Sequence, residues 1–442
     1  MTPQKVIRSY LVISGLYTFS ASLIWGVNTL FLLDAGLSIF GVFIANGVFA
    51  GSMALFEIPT GVLADTRGRR LSFLLSLVIV SVGTLGYVGT AAVGGPLWLF
   101  VLMSVVLGLG YTFYSGAVEA WLVDALKATG YTGELDRIFA RGSIVSGGAM
   151  LVGTIGGGWL GSFDLTIPFL VRAGLLVVVF GIALFKMHDI GYTPRALTVA
   201  ALPAEMTKIA QASLTFGWRE QPVRLLMVAG AIQAIFMAWG FHAWQPYFLG
   251  LLGNEQAIFA AGLIAASIAL ASMAGNALVE WFTRYCGRRT TLLLWAAGIQ
   301  TAAAIGVGLA GSFYLAVAFY LVVMGASGVM RPVRQAYLHQ IIPSEQRATV
   351  ISFDSLVSSA TSMGGQAGLG YFSQVRSIAQ GYIIGGAVTV LVLPVLGALR
   401  RLGGEVDVIR GRAANQSLCA AEGLPDVAYL DTTRRHPAQA ET

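Results

Sequence analysis

Residues 41–93 read GVFIANGVFAGSMALFEIPTGVLADTRGRRLSFLLSLVIVSVGTLGYVGTAAV. Two apolar runs, 41–64 and 71–93, flank a short charged turn containing Asp65, Arg67, Arg69 and Arg70. A bilayer core about 30 Å thick takes roughly 20 mainly apolar residues per helical crossing. Each run supplies that length. Strands of a membrane barrel would show segments of about ten alternating residues instead. The stretch therefore reads as two spanning helices joined by a tight turn.

The same pattern recurs outward in both directions. Further apolar runs near 10–33, 97–122, 143–160, 167–187, 223–249, 257–279, 290–309, 313–336, 348–371 and 379–399 bring the expected number of spans to twelve. Apolar residues make up 56% of the chain and charged residues 11%, about half the charged share of an ordinary globular protein, which excludes a water-soluble fold. The N-terminus, MTPQKVIRSY, is short and basic and leads into an apolar run too long for a signal-peptide core, so it is expected to stay attached as the first span.

The net charge of +6 raises the question of an acidic partner. On the expected topology, all but Arg172 and Arg376 of the 27 basic residues fall at one face. That bias puts both termini and the even-numbered loops in the cytoplasm. The charge is topology, not a nucleic-acid surface. Cys286 and Cys419 both fall on the cytoplasmic side, which argues against a disulfide framework. There is no phosphate-loop signature, no histidine and cysteine cluster with metal-ligand spacing and no Gly-x-Ser-x-Gly elbow. No nucleotide motor, metal, cofactor or enzymatic activity is expected.

A polar stretch at 188–222 divides the spans six and six, giving an N-terminal bundle (1–187), a central cytoplasmic loop (188–222), a C-terminal bundle (223–399) and a polar tail (400–442) expected to be disordered. Within the loop, AEMTKIAQASLTFGWRE (204–220) suits a surface helix with Trp218 at headgroup level, or a plain linker. The halves also repeat. Asn28 in span one matches Gln245 in span seven, Gly68-Arg69-Arg70 matches Gly287-Arg288-Arg289, and Asp136-Arg137 matches Glu345-Gln346-Arg347, at offsets of about 210 to 219. Internal repeats of this kind are the signature of transporters.

The turn, with Gly61, three residues, Asp65 and then Gly68-Arg69-Arg70, resembles the loop motif of the major facilitator superfamily. The resemblance covers about residues 10 to 400 through span number, charge bias, repeats and central loop, and includes Glu345-Gln346-Arg347-Ala348-Thr349. Span five carries glycines from Gly153 to Gly161 similar to the family's antiporter motif, with Gly158 where proline is usual and Ser162 for the last glycine. The resemblance implies an all-α membrane protein of twelve helices in two pseudo-symmetric six-helix bundles. It also implies that Asp65 and Arg69, with Gly61, Arg67, Gly68 and Arg70, form a latch for the outward-facing state. The physics agrees: glycine admits close helix approach, and the aspartate can meet the positive end of a neighbouring helix. Asp124, at the cytoplasmic end of span four, is the expected acidic partner of the arginines. Proton-linked drug exporters of the family carry an arginine in span four, whereas residues 97–126 contain none and present Glu119.

An ionisable residue at the centre of a span costs at least roughly 2.5–3.5 kcal/mol, so each is a functional candidate. Glu57, Glu119 and Asp354 are candidate proton carriers, and a structural hydrogen bond is the alternative for each. Glu119 stands at the repeat-related place of Arg334. A cross-bundle pair of Glu119 with Arg331 or Arg334 would serve as a gate, an anionic-substrate site or a static bridge. Asn28, Gln245 and His242 are candidate substrate hydrogen-bonders, and Trp25, Tyr111 and Tyr114 candidate apolar contacts, with plain packing as the alternative.

The expected function is a monomeric secondary transporter of the bacterial inner membrane, working by alternating access. Efflux of small hydrophobic or amphipathic compounds in exchange for protons, as in multidrug resistance, is the leading reading. A proton-coupled uptake carrier for a metabolite and a non-transporting receptor or scaffold are the alternatives. Expected partners are the small-molecule substrate, protons and membrane lipids.

Overall fold

The computed structural model describes residues 2–192, 218–254, 257–342 and 344–409. The expected surface helix at 204–220 falls almost wholly outside these residues, as does the tail beyond 409 with Cys419. In lipid, a backbone polar group has no water to bond, so a single chain segment satisfies itself only as a helix. The described residues follow that rule: every extended element is helical, and the one β-bridge pairs Arg288 with Val408.

The first half contains α1 (Pro3–Ser22), α2 (Asn28–Asp34), α3 (Ile39–Arg67), α4 (Arg69–Ala92), α5 (Leu97–Tyr114), α6 (Ala117–Ala128), α7 (Leu135–Gly161) and α8 (Ile167–Lys186). The second contains α9 (Gln221–Leu252), α10 (Ile258–Tyr285), α11 (Arg289–Leu309), α12 (Phe313–Ile341), α13 (Ser344–Val375), α14 (Ile378–Thr389) and α15 (Val392–Leu402). Among the described residues ten segments are long and apolar enough to cross a membrane, with α5–α6 and α14–α15 each forming one of them. The broken pair α1–α2 and the more polar α13 occupy the places of the other two expected spans.

Each half builds its own interior. Tyr10, Tyr17, Phe73, Phe100, Trp121 and Phe169 centre the first. The second has an upper cluster around Phe236, Trp239, Trp244, Tyr320 and Tyr382 and a lower one around Leu226, Leu293, Val333, Tyr337 and Leu396. Phe43 of α3 belongs to the second half's upper cluster, so the halves share a seam there.

The seam runs along α3 against α13 and α7 against α10. The Phe40 N–H donates to the Gln374 side-chain oxygen at 3.3 Å, and the Phe40 ring meets Tyr371 edge-on at 5.8 Å. Gly158 and Gly262 touch through backbone: a Cβ built on Gly158 would lie 2.6 Å from the Gly262 Cα. These contacts all fall in the helix halves remote from the Gly68 turn. Gly61, expected to admit close approach, meets nothing within 4 Å. The bundles splay at the Gly68 face and close at the opposite one, so that approach is absent in this state.

Candidate functional site

At the Gly68 turn the chain reverses between α3 and α4 with Gly68 at φ +109°, a conformation that favours glycine. Asp65 pairs with Arg69 one helical turn on, at 2.5 Å. Asp189, just beyond α8, lies across the start of α4: its Oδ1 accepts from the Arg70 N–H at 2.9 Å, and a Cβ at position 68 would stand 2.3 Å from its Oδ2. The Arg70 guanidinium donates to the Leu184 carbonyl at 2.6 Å, and the Tyr192 hydroxyl donates to the Asp65 carbonyl at 2.7 Å. Desolvation raises the Tyr192 phenol above its ordinary value, partly offset by Arg69, so it stays a donor at neutral pH. Arg67 is exposed. The acid at the turn is therefore Asp189 and not the expected Asp124, which forms no ion pair among the described residues. Chain beyond α8 passes between them, with Gly191 against the Asp124 carbonyl.

The second half repeats the device. Asp407, just beyond α15, accepts from both the N–H and the hydroxyl of Thr290 at 2.8 Å. Arg289 donates to the Val406 carbonyl, and the Ile409 N–H to the Gly287 carbonyl at 3.0 Å. In each half a carboxylate from beyond the last crossing caps the third, where the helix dipole favours negative charge. Asp407 is 1% exposed, so Asp407→Ala is expected to cost about 2 kcal/mol and the more accessible Asp189→Ala about 1 kcal/mol. Thermal unfolding in neutral detergent checks this, and an unchanged midpoint for the Asp407 variant would refute the cap.

The embedded acids do not meet the arginines as expected. Glu57 is exposed and accepts from the Ser115 hydroxyl at 2.9 Å, at the break between α5 and α6. Glu119 is half-buried on α6, within electrostatic reach of Tyr10 and Tyr114. Arg334 pairs with Asp354 inside the second half, and its Nε donates to the Leu226 carbonyl at 3.2 Å. The anticipated Glu119–Arg334 pair across the bundles is absent, because α6 and α12 end at the splayed face. Arg331 is exposed and has no ion pair among the described residues.

Gln245, expected to face a substrate, is fully buried in the seam. Its Oε1 accepts from the Thr29 N–H and its Nε2 donates to the Trp25 carbonyl, both at 2.9 Å. The break between α1 and α2 frees those two backbone groups, and a side chain from the other bundle satisfies them. Asn28 is spent within its own bundle, donating to the Asn46 side-chain oxygen at 3.1 Å. His242 is half-buried, and its Nδ1 has no hydrogen-bond partner among the described residues.

The aromatic candidates mark a difference between the halves. Tyr114 stacks on Tyr17 at 3.9 Å, Tyr111 packs edge-on against Phe49, and Trp25 is half-buried against the same core. Arg172, expected at the far face, is instead 1% exposed inside this half; its Nη2 donates to the Tyr111 hydroxyl at 2.9 Å and its charge lies 5.6 Å from that ring's centroid. Hydrogen bonding and a cation–π contact turn the guanidinium inward. The first half's interior is thus filled with rings.

The second half has its own ring cluster above, but beside its lower cluster the interior holds a cavity. A cavity of about 400 Å³ lies among α9, α11, α12, α13 and α15, with Gln233, Gln300, Arg331, Arg334, Asp354 and Ser355 among its walls. Another of about 480 Å³ borders the seam between α7 and α10, beside Thr18, Ser146, Met273 and Asn276. Sequence reasoning missed Gln233 and Gln300; their signal was an amide in an otherwise apolar run. Among the described residues no three histidine, cysteine, aspartate or glutamate side chains gather as a metal site.

No family model matches the chain. It aligns at 21% identity over 365 residues with the uncharacterized MFS-type transporter YxaM of Bacillus subtilis (strain 168), covering 79% of this chain and 84% of that protein. Its structure is similar to that of the nucleoside transporter NupG, with a TM-score of 0.73 at 10% identity over 90% of this chain and 99% of that one. It is also similar to a bacterial homolog of the human lysosomal transporter Spinster in an inward-facing and occupied conformation, with a TM-score of 0.68 at 15% identity over 92% and 98% of the two chains. These likenesses establish the fold: two helical bundles of the major facilitator type.

Proposed function

We propose that this chain is a secondary transporter of the bacterial inner membrane, moving a small molecule by alternating access and coupled to protons. The observation that carries the reading is the asymmetric seam, tight through Gly158, Gly262 and Gln245 at one face and open at the Gly68 face, with a walled cavity on the open side. Bundles that meet on a narrow seam at one face and part at the other are what rocking requires. The Gly68 face is the cytoplasmic one, from its basic residues, so the state is inward-facing. The working unit is a monomer, since both bundles lie in one chain.

Efflux of amphipathic compounds suits the cavity's apolar walls. Uptake of a polar metabolite is favoured by a specific observation, the amide, hydroxyl and guanidinium groups on the same walls. Glu57 is the first proton-carrier candidate, because it is exposed beside the α5–α6 break and held by one hydroxyl, whereas Asp354 is committed to Arg334.

Access is tested with Ser355→Cys in a chain whose Cys286 and Cys419 are replaced by serine. An impermeant maleimide is expected to react from the cytoplasmic face and not from the other; labelling from the outer face alone would overturn the assignment. In proteoliposomes, Glu57→Gln is expected to lower proton flux at least about a hundredfold while leaving folded protein, given the factor of about a hundred to ten thousand typical of a proton-transferring group. Unchanged flux would remove Glu57 and leave Glu119→Gln as the next variant.

A further inference from the structure

The cavity of the second half has a chemistry narrower than a general solute site. Three charged side chains line it, Arg331, Arg334 and Asp354. Arg334 and Asp354 neutralise one another, and Asp354 is 9% exposed. Arg331 lines the same space without an ion-pair partner among the described residues, which leaves one positive charge uncompensated by them. Glu57 and Glu119 sit on the opposite bundle, are not on the cavity wall and do not pair with it.

The neutral donors point the same way. The Gln233 Nε2 rests on the Met330 sulfur at 3.4 Å, and the Gln300 Nε2 on the Met237 sulfur at 3.3 Å. A thioether is a weak acceptor. Gln300 is 2% exposed, so its amide is buried without a good partner, a state that costs free energy until an acceptor arrives. Ser327, Ser355 and Ser358 add hydroxyls to the lining. The rest of the wall is apolar, with Leu226, Leu293 and Leu396 among its residues. The volume, about 400 Å³, lies near the low end of the roughly 300–1,000 Å³ range of small-molecule sites.

From this we infer that the cavity between α9, α11, α12, α13 and α15 binds a small organic anion, a carboxylate on an apolar body, with Arg331 taking the charge and Gln233 and Gln300 the remaining acceptor atoms. The inference deepens the transport reading and rests on it for its physiological meaning, but binding itself needs no gradient. Arg331 is suited to the task because its planar fork meets both oxygens of a carboxylate.

The test is binding by the purified chain in neutral detergent, read as a shift in thermal unfolding. The probes are acetate, hexanoate, benzoate and 1-naphthoate, each against its primary amide, with benzylamine as the opposite charge. At least one carboxylate is expected to stabilise the protein and to bind at least about tenfold more tightly than its amide. Arg331→Gln should weaken that binding at least tenfold, and Arg331→Lys should restore part of it. Arg331 is exposed and unpaired among the described residues, so neither change removes a folding contact described there. The inference is overturned if no carboxylate stabilises, if amide or amine binds as well as the acid, or if Arg331→Gln binds like the parent. Maleimide access at Ser355→Cys is scored without any ligand, so failure of the transport reading and failure of the anion site are separable.

Discussion

Gly158→Leu is expected to hold the protein open at the outer face and to lower transport at least about a hundredfold. A Cβ at this position would lie 2.6 Å from the Gly262 Cα and 2.8 Å from its nitrogen, and backbone of a neighbouring helix does not yield as a side-chain tip does. Leucine adds three further carbons. In lipid, close approach through small residues is what binds helices together, so the substitution removes the attraction and inserts a wedge. Overpacking a fitted contact costs typically about 1–3 kcal/mol, and about 2.8 kcal/mol moves a two-state equilibrium a hundredfold. Labelling should mirror the shift: Ser355→Cys becomes less reactive from the cytoplasmic face, and Gln366→Cys, whose native side chain is 2% exposed and packs at Gly47 in the seam, becomes reactive from outside. Parental labelling at both positions would show that the seam is not closed by this contact.

Asp354→Ala is expected to destabilise the folded chain by about 3 kcal/mol. The Arg334 and Asp354 side chains are 18% and 12% exposed, so removing the acid strands a guanidinium against the Leu226 carbonyl in a mostly dry interior. Breaking one side of such a pair costs roughly 3–5 kcal/mol, and the cavity beside it places this case at the lower end. Replacing both partners should be milder, because the desolvation cost disappears with the charges. Thermal unfolding of Asp354→Ala, Arg334→Met and the double variant forms the cycle. Additive losses would mean that the two residues act independently and that the pair is incidental.

The coarse architecture was legible in residues 41–93, because apolar run length and a charged turn obey the bilayer directly. The Asp65–Arg69 pair spans the break at Gly68 and was not anticipated, whereas the turn itself, charges and glycine between two apolar runs, was legible. Its partner was not. Asp189 lies in a polar stretch with no periodicity, and only the packing of chain beyond α8 against α4 brings it there. Arg172 illustrates the limit of charge counting: its position near one end of a span suggests an interface, yet Tyr111 turns its head inward. Gln245 and Asn28 hold matching places in the repeat but have different partners, because only the break between α1 and α2 exposes backbone for a glutamine to cap. Glu119 and Arg334 likewise match by repeat, and their separation reflects the splay of the bundles, which a sequence does not encode as one fixed state.

The paired caps at Asp189 and Asp407 also bear on how the protein is made. Each half contains its own cap on its third crossing, so the start of α4 has its partner once residue 192 has left the ribosome, while the break between α1 and α2 still awaits Gln245. At about 5–20 residues per second, the remaining chain takes roughly 10–50 s to emerge. Throughout that interval the start of α4 is already bonded, and the nascent first half waits in the membrane with only the α1–α2 break left for Gln245 to fill.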